Sequence, residues 1–517
     1  MPGEYPQCTV VEWVRRSAQE HPEREAIVCN ERRVSWRGFD RRVNQVANTL
    51  ISRGIRRGDR VAILASASIE YVEVFMGCLR AGACLVPLST MASTDALEKM
   101  VRDCSAKAFF LSNSMRELVW PFIHNLPELD ETNRFAFDFT DPQWHDYQSV
   151  TDAASADDPL IAVDFTDLFN IIYSSGTTGV PKGITHNHMM RAVQMERVEQ
   201  NGYADNARTL LSTPLYSNTT IVALLPTLVG AGTVVLMPKF DARGYLQLVQ
   251  QEQCTHSMLV PVQYKRIMQI EDFDTFDLSS MRLKFSTSAP LRADIKQDVL
   301  KRFPGGLVEY YGLTEGGGTT VLAAHEYPQK LHTVGQPAPG VKIKFIDEQG
   351  TEVPPQQGGE ICGRSPAMMN GYFGRDDLTE ETLWRDSNGD TYFRSGDMGH
   401  MDEDGFLHLS DRKKDMIISG GLNIYANDLE LALLEDPDIE DVAVIGVPSE
   451  QWGETPLGLV VLKKNCTRSL DAILTEANSR LGKSQRLSKL ESREELPRSS
   501  IGKILKRELR GPYWEGA

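Results

Sequence analysis

The stretch "YSSGTTGVPKG", Tyr173 to Gly183, places three glycines, four serine or threonine hydroxyls and one lysine in eleven residues. Glycines let a backbone approach a ligand closely, while Ser, Thr and Lys supply donors and positive charge, so the composition points to an oxyanion group. The spacing is not that of a Walker P-loop, because Pro181 precedes Lys182 and no G-x-x-x-x-G-K-[ST] pattern is present. From these residues alone a phosphate loop and a plain flexible surface loop both stand. The segment before it, "LFNIIYS", reads as a strand and the segment after it, "HMMRAVQMERVEQ", as a helix. That order predicts a loop at a strand-to-helix junction, where N–H groups and the helix dipole favour anions.

The same alternation extends outward. Val43, Val46, Ala47, Leu50 and Ile51 recur at helical spacing ahead of Gly54, the strand "RVAILA" follows, and "YVEVFMGCLRAGACLVPLS" reads as helix, glycine turn and strand. A layered α/β fold is expected for this part. Near residue 411 charge and glycine crowd between two strand-like segments, "GDMGHMDEDGFLHLSDRKKDMIISGG", and the chain is expected to divide there: a large α/β domain over 1–411, a hinge at 412–414, and a small mobile α+β domain over 415–517. In the latter, "NDLELALL" opens with Asn427 and Glu430 as a capping-box-like start. Strands "VAVIGV" and "LGLVVL" and an amphipathic helix between Ser469 and Leu481 follow.

At 517 residues the chain exceeds what one core usually supports. Its 55 basic and 71 acidic residues give a net charge of −16, which excludes the electrostatic footprint of a nucleic-acid binder and disfavours an anionic membrane surface. The eight cysteines form no C-x-x-C pair, and reduced, mostly buried thiols are expected. With no signal-like or membrane-spanning run and no peroxisomal ending in "YWEGA", a cytoplasmic protein is expected. "HNH" at 186–188 is read as a helix start, since no acidic or cysteine partner lies near it in sequence. Nothing in the sequence sets an oligomeric state.

Seven segments occur in a telling order. After "YSSGTTGVPKG" come "STSAP" (286–290), "YYGLTEGG" (310–317), "YFRSGDMG" (392–399), "DRKKDMIISGGLNIY" (411–425), "VAVIGVPSEQWGE" (442–454) and "LPRSSIGKILKREL" (496–509). Together they resemble the adenylate-forming (AMP-binding) superfamily, which includes acyl- and aryl-CoA ligases, peptide-synthetase adenylation domains and beetle luciferases. The glycine loop "KKDMIISGGLNIY" most resembles aryl and hydroxycinnamate ligases, the 4-coumarate, feruloyl and benzoate-CoA ligase branch. The resemblance implies a two-step reaction with ATP, Mg2+ and coenzyme A: a carboxylate attacks the α-phosphorus, and a thiol then displaces AMP.

What the family's residues do carries over by motif. Ser174, Ser175, Gly176, Thr177, Thr178 and Lys182 would surround the β- and γ-phosphates, and Lys503 would bridge carboxylate and α-phosphate, where two anions repel. Glu315 would hold magnesium, with Thr314 bonded to the α-phosphate and Gly316 beside them. Ser288, Ala289, Pro290, Tyr310, Tyr311 and Gly312 would frame the nucleotide, Tyr311 lying against adenine. Asp397 and Arg412 would take the ribose, an ion pair being their plainer reading. Lys414 would be the pivot that exchanges the Lys503 loop for Gly420 and Gly421, the wall of a pantetheine tunnel, with Trp452 and Arg486 against the CoA nucleotide. Tyr216, Ser217, Asn218, Thr219, Tyr310 and Gly316 would line the acyl pocket.

The sequence departs from its relatives where Tyr216-Ser217 stands for an aromatic-His pair that gates CoA entry, where "ANDLE" replaces P-x-E, and where Asp411 replaces a glycine. The expected substrate is an aromatic acid such as ferulate or coumarate. A medium-chain fatty acid, a carrier-protein acceptor, a luciferase-like oxygenase and a catalytically silent nucleotide binder are the alternatives. Small-molecule acid, ATP and CoA are the expected partners, without nucleic acid or membrane.

Overall fold

In the computed structural model, which describes residues 6–126, 128–174, 182–195, 197–204, 206–412 (backbone only at 411 and 412), 415–419, 422–481 (backbone only at 422 and 423), 486–499 and 502–514, the chain separates into two compact units. One comprises 1–342 with 364–383, the other 343–363 with 384–517. Residue 411, where the sequence places the domain boundary, lies in the strand Leu407–Arg412 of the second unit. The composition change read there marks the edge of a sheet.

The first unit is built on two sheets. One has nine strands in the order 336–337, 320–323, 306–311, 283–286, 256–259, 208–211, 233–236, 25–29 and 32–35. Its central strands are parallel, and they read as short apolar runs because helices cover them. The other sheet has eight strands, in the order 371–372, 182–187, 168–174, 84–87, 60–64, 108–111, 134–136 and 145–146. The predicted helices form as Trp36–Ser52 and Ile69–Arg80, capped by Ser35 and Ser68. They pack so closely that a Cβ at Gly77 would lie 2.5 Å from Val46 Cβ. With Asn218–Val229 they share one apolar core with strands of both sheets: Val43, Val46, Phe75, Leu79, Ile63, Leu211, Leu224 and Leu228 are fully or almost fully buried in it. Burial of each such side chain stabilises the fold by roughly 1.5–3 kcal/mol.

The glycine-rich loop is not at a strand-to-helix junction. Leu168–Ser174 is followed by a second strand, Lys182–Asn187, antiparallel to it, with Ser174 opposite Lys182 at the open end. The helix His188–Gln194, capped by Asn187, begins only after that strand, about 20 Å of extended chain beyond Lys182. "KGITHN" hides its strand character because it buries polar side chains, Thr185 and His186, that a strand pattern does not anticipate.

The second unit carries two further sheets. One joins 352–353, 342–346, 359–364, 391–401 and 383–385, with 407–412 on 391–401; the other joins 422–424, 417–419, 453–462 and 439–449, with 489–492 on 453–462. The hairpin Ile439–Ser449 and Gly453–Leu462 and the helix Leu470–Arg480, capped by Ser469, match expectation. The capping box at Asn427 does not. The helix Ala426–Leu434 starts after Tyr425 with no side-chain cap, and Glu430 instead accepts from Val444 N–H and pairs with Lys506. All eight cysteines are free thiols, seven of them buried. Among the described residues no helix is long and apolar enough to cross a membrane.

Candidate active site

Three of the segments singled out from the sequence follow the carboxyl ends of parallel strands in the nine-stranded sheet. Residues 212–219 follow Arg208–Leu211, residues 287–291 follow Leu283–Ser286, and residues 312–316 follow Gly306–Tyr311. Crevices at that end of a parallel sheet are where open α/β folds bind ligands.

Side chains tie the three together. Ser288, a non-glycine residue at φ 82°, joins its hydroxyl to that of Thr219 at 2.5 Å. A left-handed serine costs on the order of 1–3 kcal/mol and persists where surrounding bonds hold it. Below it, Glu309 accepts from Leu291 N–H at 2.6 Å and forms a fully buried ion pair with Lys296, whose ammonium also donates to Leu331 and Thr333 carbonyls. Burial pushes the Glu309 carboxyl up, against the pull of Lys296. This pair pins the "STSAP" loop to the next strand.

The Thr314–Glu315 turn is fixed from three sides. Gly316 lies at φ 78°, where a Cβ would meet the Ala367 carbonyl oxygen at 2.0 Å, so only glycine fits. Glu315 C=O accepts from Met369 N–H at 2.8 Å, and Gly316 C=O from Ser365 Oγ at 2.7 Å. Tyr372 Oη donates to Glu315 Oε1 at 3.0 Å, and burial beside that carboxylate raises the phenol's pKa. Tyr372 lies opposite Ile184 on the strand that begins with Lys182, and Lys182 Nζ is 5.5 Å from its ring centroid. The lysine of the glycine-rich loop and the candidate metal ligand therefore meet at one buried tyrosine. Of that loop, Ser174 and Lys182 are placed; Ser175, Gly176, Thr177 and Thr178 lie outside the described residues.

Thr314 C=O also accepts from His186 Nε2–H at 2.8 Å. His186 Nδ1 accepts from Arg191 at 2.8 Å and Asn170 at 3.1 Å, which fixes the tautomer. Burial and Arg191 hold its pKa well below the usual histidine range, so it is neutral. Arg191 reaches Asn218 Oδ1 at 3.0 Å, linking this cluster to the acyl-pocket segment. "HNH" thus holds the helix start that was expected, but its first two residues end a strand that was not, and its first histidine is a buried strut. Sequence reasoning missed Tyr372, His186 and Arg191 as site residues.

Tyr216 is buried with no hydrogen-bond partner for its hydroxyl among the described residues, and Ser217 caps the helix Asn218–Val229. Tyr310 stacks at 5.8 Å on Phe285, continuing an array with Tyr203 and His256; Asn201 donates to its hydroxyl and Arg197 lies 4.9 Å from its ring. Tyr311 ends its strand half-buried, opposite Thr320, and Gly312 is exposed beside it. Ala289 and Pro290 occupy the loop between Ser288 and Leu291.

In the second unit, Asp397 is buried and directly opposite Arg412 across an antiparallel ladder. Lys503 is in a tight, half-buried turn, not a loose tail: its N–H donates to Ser499 Oγ, its C=O accepts from Ser499 N–H, and Gly502 beside it is at φ 78°. Arg498 braces the turn by bonding Gly502 C=O and Asp441. Trp452 is 51% exposed on a hairpin turn and Arg486 is exposed. Lys414, Gly420, Gly421 and the Arg412 side chain lie outside the described residues. Among the described residues no group of three or more His, Cys, Asp or Glu could cage a metal ion. A lone glutamate suits a cation that takes most of its remaining ligands from water and phosphate.

Two family models match: "AMP-binding enzyme" over residues 14–373 and "AMP-binding enzyme C-terminal domain" over 428–503. The chain belongs to the AMP-binding enzyme family. Within the family it is 34% identical over 504 residues to a feruloyl-CoA synthase of an Amycolatopsis species, covering 96% of this chain and 98% of that one. It is 29% identical over 522 residues to the fatty acid–[acyl-carrier-protein] ligase ScoC of Streptomyces coeruleorubidus, covering 98% and 96%. ATP-bound MatB from Rhodopseudomonas palustris superposes with a TM-score of 0.87 at 28% identity, covering 98% of this chain and 99% of that one. The mixed α/β architecture, large unit and small, is the family's fold, and the protein is an AMP-forming acid–thiol ligase.

Proposed function

We propose that this family member activates an aromatic carboxylic acid as its adenylate and passes the acyl group to the thiol of coenzyme A. The observation that carries the site assignment is the meeting of Lys182 and Glu315 at Tyr372, beside the carboxyl ends of parallel strands. A loop that takes the pyrophosphate needs a fixed cation at its base and a hard oxygen ligand near it, because negative charge moves onto the leaving group as the bond to the α-phosphorus breaks. Lys182 supplies the first and Glu315 the second. Magnesium held there would neutralise phosphate oxygens. Lys503 would bring its ammonium between carboxylate and α-phosphate in the first half-reaction, and Asp397 with Arg412 would hold the ribose. Exchange of the Lys503 turn for the segment around Gly420 and Gly421, about a pivot at 412–414, would admit the thiol, with Trp452 and Arg486 toward the CoA nucleotide.

An aromatic acid, ferulate or coumarate by class, is supported by the feruloyl-CoA synthase relative and by the aromatic array that includes Tyr310. The fatty-acid and carrier-protein reading rests on ScoC, which matches as much of the chain at lower identity. CoA-dependent AMP release, measured across hydroxycinnamates, benzoates and C6–C12 fatty acids, separates the two. The largest kcat/KM is expected for a hydroxycinnamate; preference for a fatty acid, or turnover with a carrier protein but not CoA, would contradict this reading.

A further inference from the structure

Arg191 is fully buried, and all five of its donor hydrogens are taken by neutral acceptors: Asn170 Oδ1 twice, Gln194 Oε1, Asn218 Oδ1 and His186 Nδ1. Among the described residues no carboxylate pairs with it, and burial pulls its pKa down to about 9, which leaves it protonated at neutral pH. Buried cations are ordinarily paired, because an isolated charge away from water is expensive. The helix His188–Gln194 thus holds an unneutralised positive charge one hydrogen bond from Asn218 and two from the Thr314 carbonyl, by way of His186. Because Asn218 Oδ1 faces Arg191, the amide's other end is a donor, and Nδ2 has no partner among the described residues.

Resting on the reading above, we propose that Arg191 is a positioning residue for carboxylate activation: it holds the Asn218 amide with its N–H2 end presented to the acid, steadies the Thr314–Glu315 turn through His186, and keeps its own charge available to the anions that meet there. The arrangement suits a site where Ser217 offers no cation of its own. A charge satisfied by dipoles alone remains to be completed by substrate, whereas a salt-bridged one would not.

The test uses the full-length chain. Wild type is first shown to make acyl-CoA, and acid-dependent pyrophosphate exchange is then measured for Arg191→Lys, Arg191→Met and Asn218→Asp. Misplacing reacting groups by about 1 Å costs on the order of 10²-fold. Arg191→Met should lose about that much in kcat for exchange while KM for ATP moves far less, and Arg191→Lys should recover part of it. Asn218→Asp, which gives the guanidinium a carboxylate partner, should keep or raise the melting temperature yet lose exchange, so the idea is tested even where the methionine variant fails to fold. Wild-type exchange in Arg191→Met, or in a folded Asn218→Asp, overturns the inference alone. A wild type inert toward every acid overturns the reading on which it rests.

Discussion

At Glu315 a single hydroxyl decides much of the carboxylate's geometry. Tyr372→Phe removes the bond to Oε1 and the orientation it gives. Bonds to charged groups contribute about 1.5–3 kcal/mol, so loss of that much from the transition-state complex should lower kcat/KM roughly ten- to a hundredfold, with a raised magnesium requirement. Titrating AMP formation with Mg2+ in both proteins checks this, and identical curves would remove Tyr372 from the site. Gly316→Ala is of another kind, because it forces a left-handed alanine against a backbone carbonyl. A loss of about 2–4 kcal/mol is expected in denaturant unfolding. Glu315, Lys182 and Lys503 stand out in the sequence as candidates because their motifs fix residue type and spacing. Tyr372 was not, since it meets Glu315 across 57 residues and Lys182 across a strand pairing that no local pattern announces.

Among elements, the strand Leu283–Ser286 positions the Ser288 loop and carries Lys284, fully buried and bonded to the carbonyls of Phe303, Pro304 and Gly305 just beyond the helix Ala293–Arg302. Burial pulls this lysine down to about 7. Below that pH folded and unfolded chains both carry its proton, and between about 7 and its ordinary value the unfolded chain holds one that the folded chain lacks. Stability should therefore rise with pH over this window, by at most about 1.4 kcal/mol per unit from this group. Unfolding free energies at pH 6 to 9, compared with Lys284→Met, isolate the slope; parallel curves would refute it. Elements with clean periodicity, such as Trp36–Ser52 and the Ile439–Leu462 hairpin, were legible from sequence. The strand Lys182–Asn187 and the start of Ala426–Leu434 were not, because polar partners at buried His186 and half-buried Glu430 replaced the pattern and cap that sequence rules seek.

For the whole molecule, the family and its two-part plan were visible in seven ordered motifs, since a reaction joining two anions restricts which residues stand where. The division of the chain at 342/343, 363/364 and 383/384 was not visible, because it depends on which strands pair. We propose that one nucleotide site serves two half-reactions and that Lys503 serves only the first. Lys503→Ala tests it most directly, with acid-dependent pyrophosphate exchange and thioester formation from supplied acyl-adenylate measured on the same preparation. Exchange should fall about 10²–10³-fold while the thioester step proceeds near the wild-type rate. Equal loss of both steps, or exchange that survives intact, would contradict the claim.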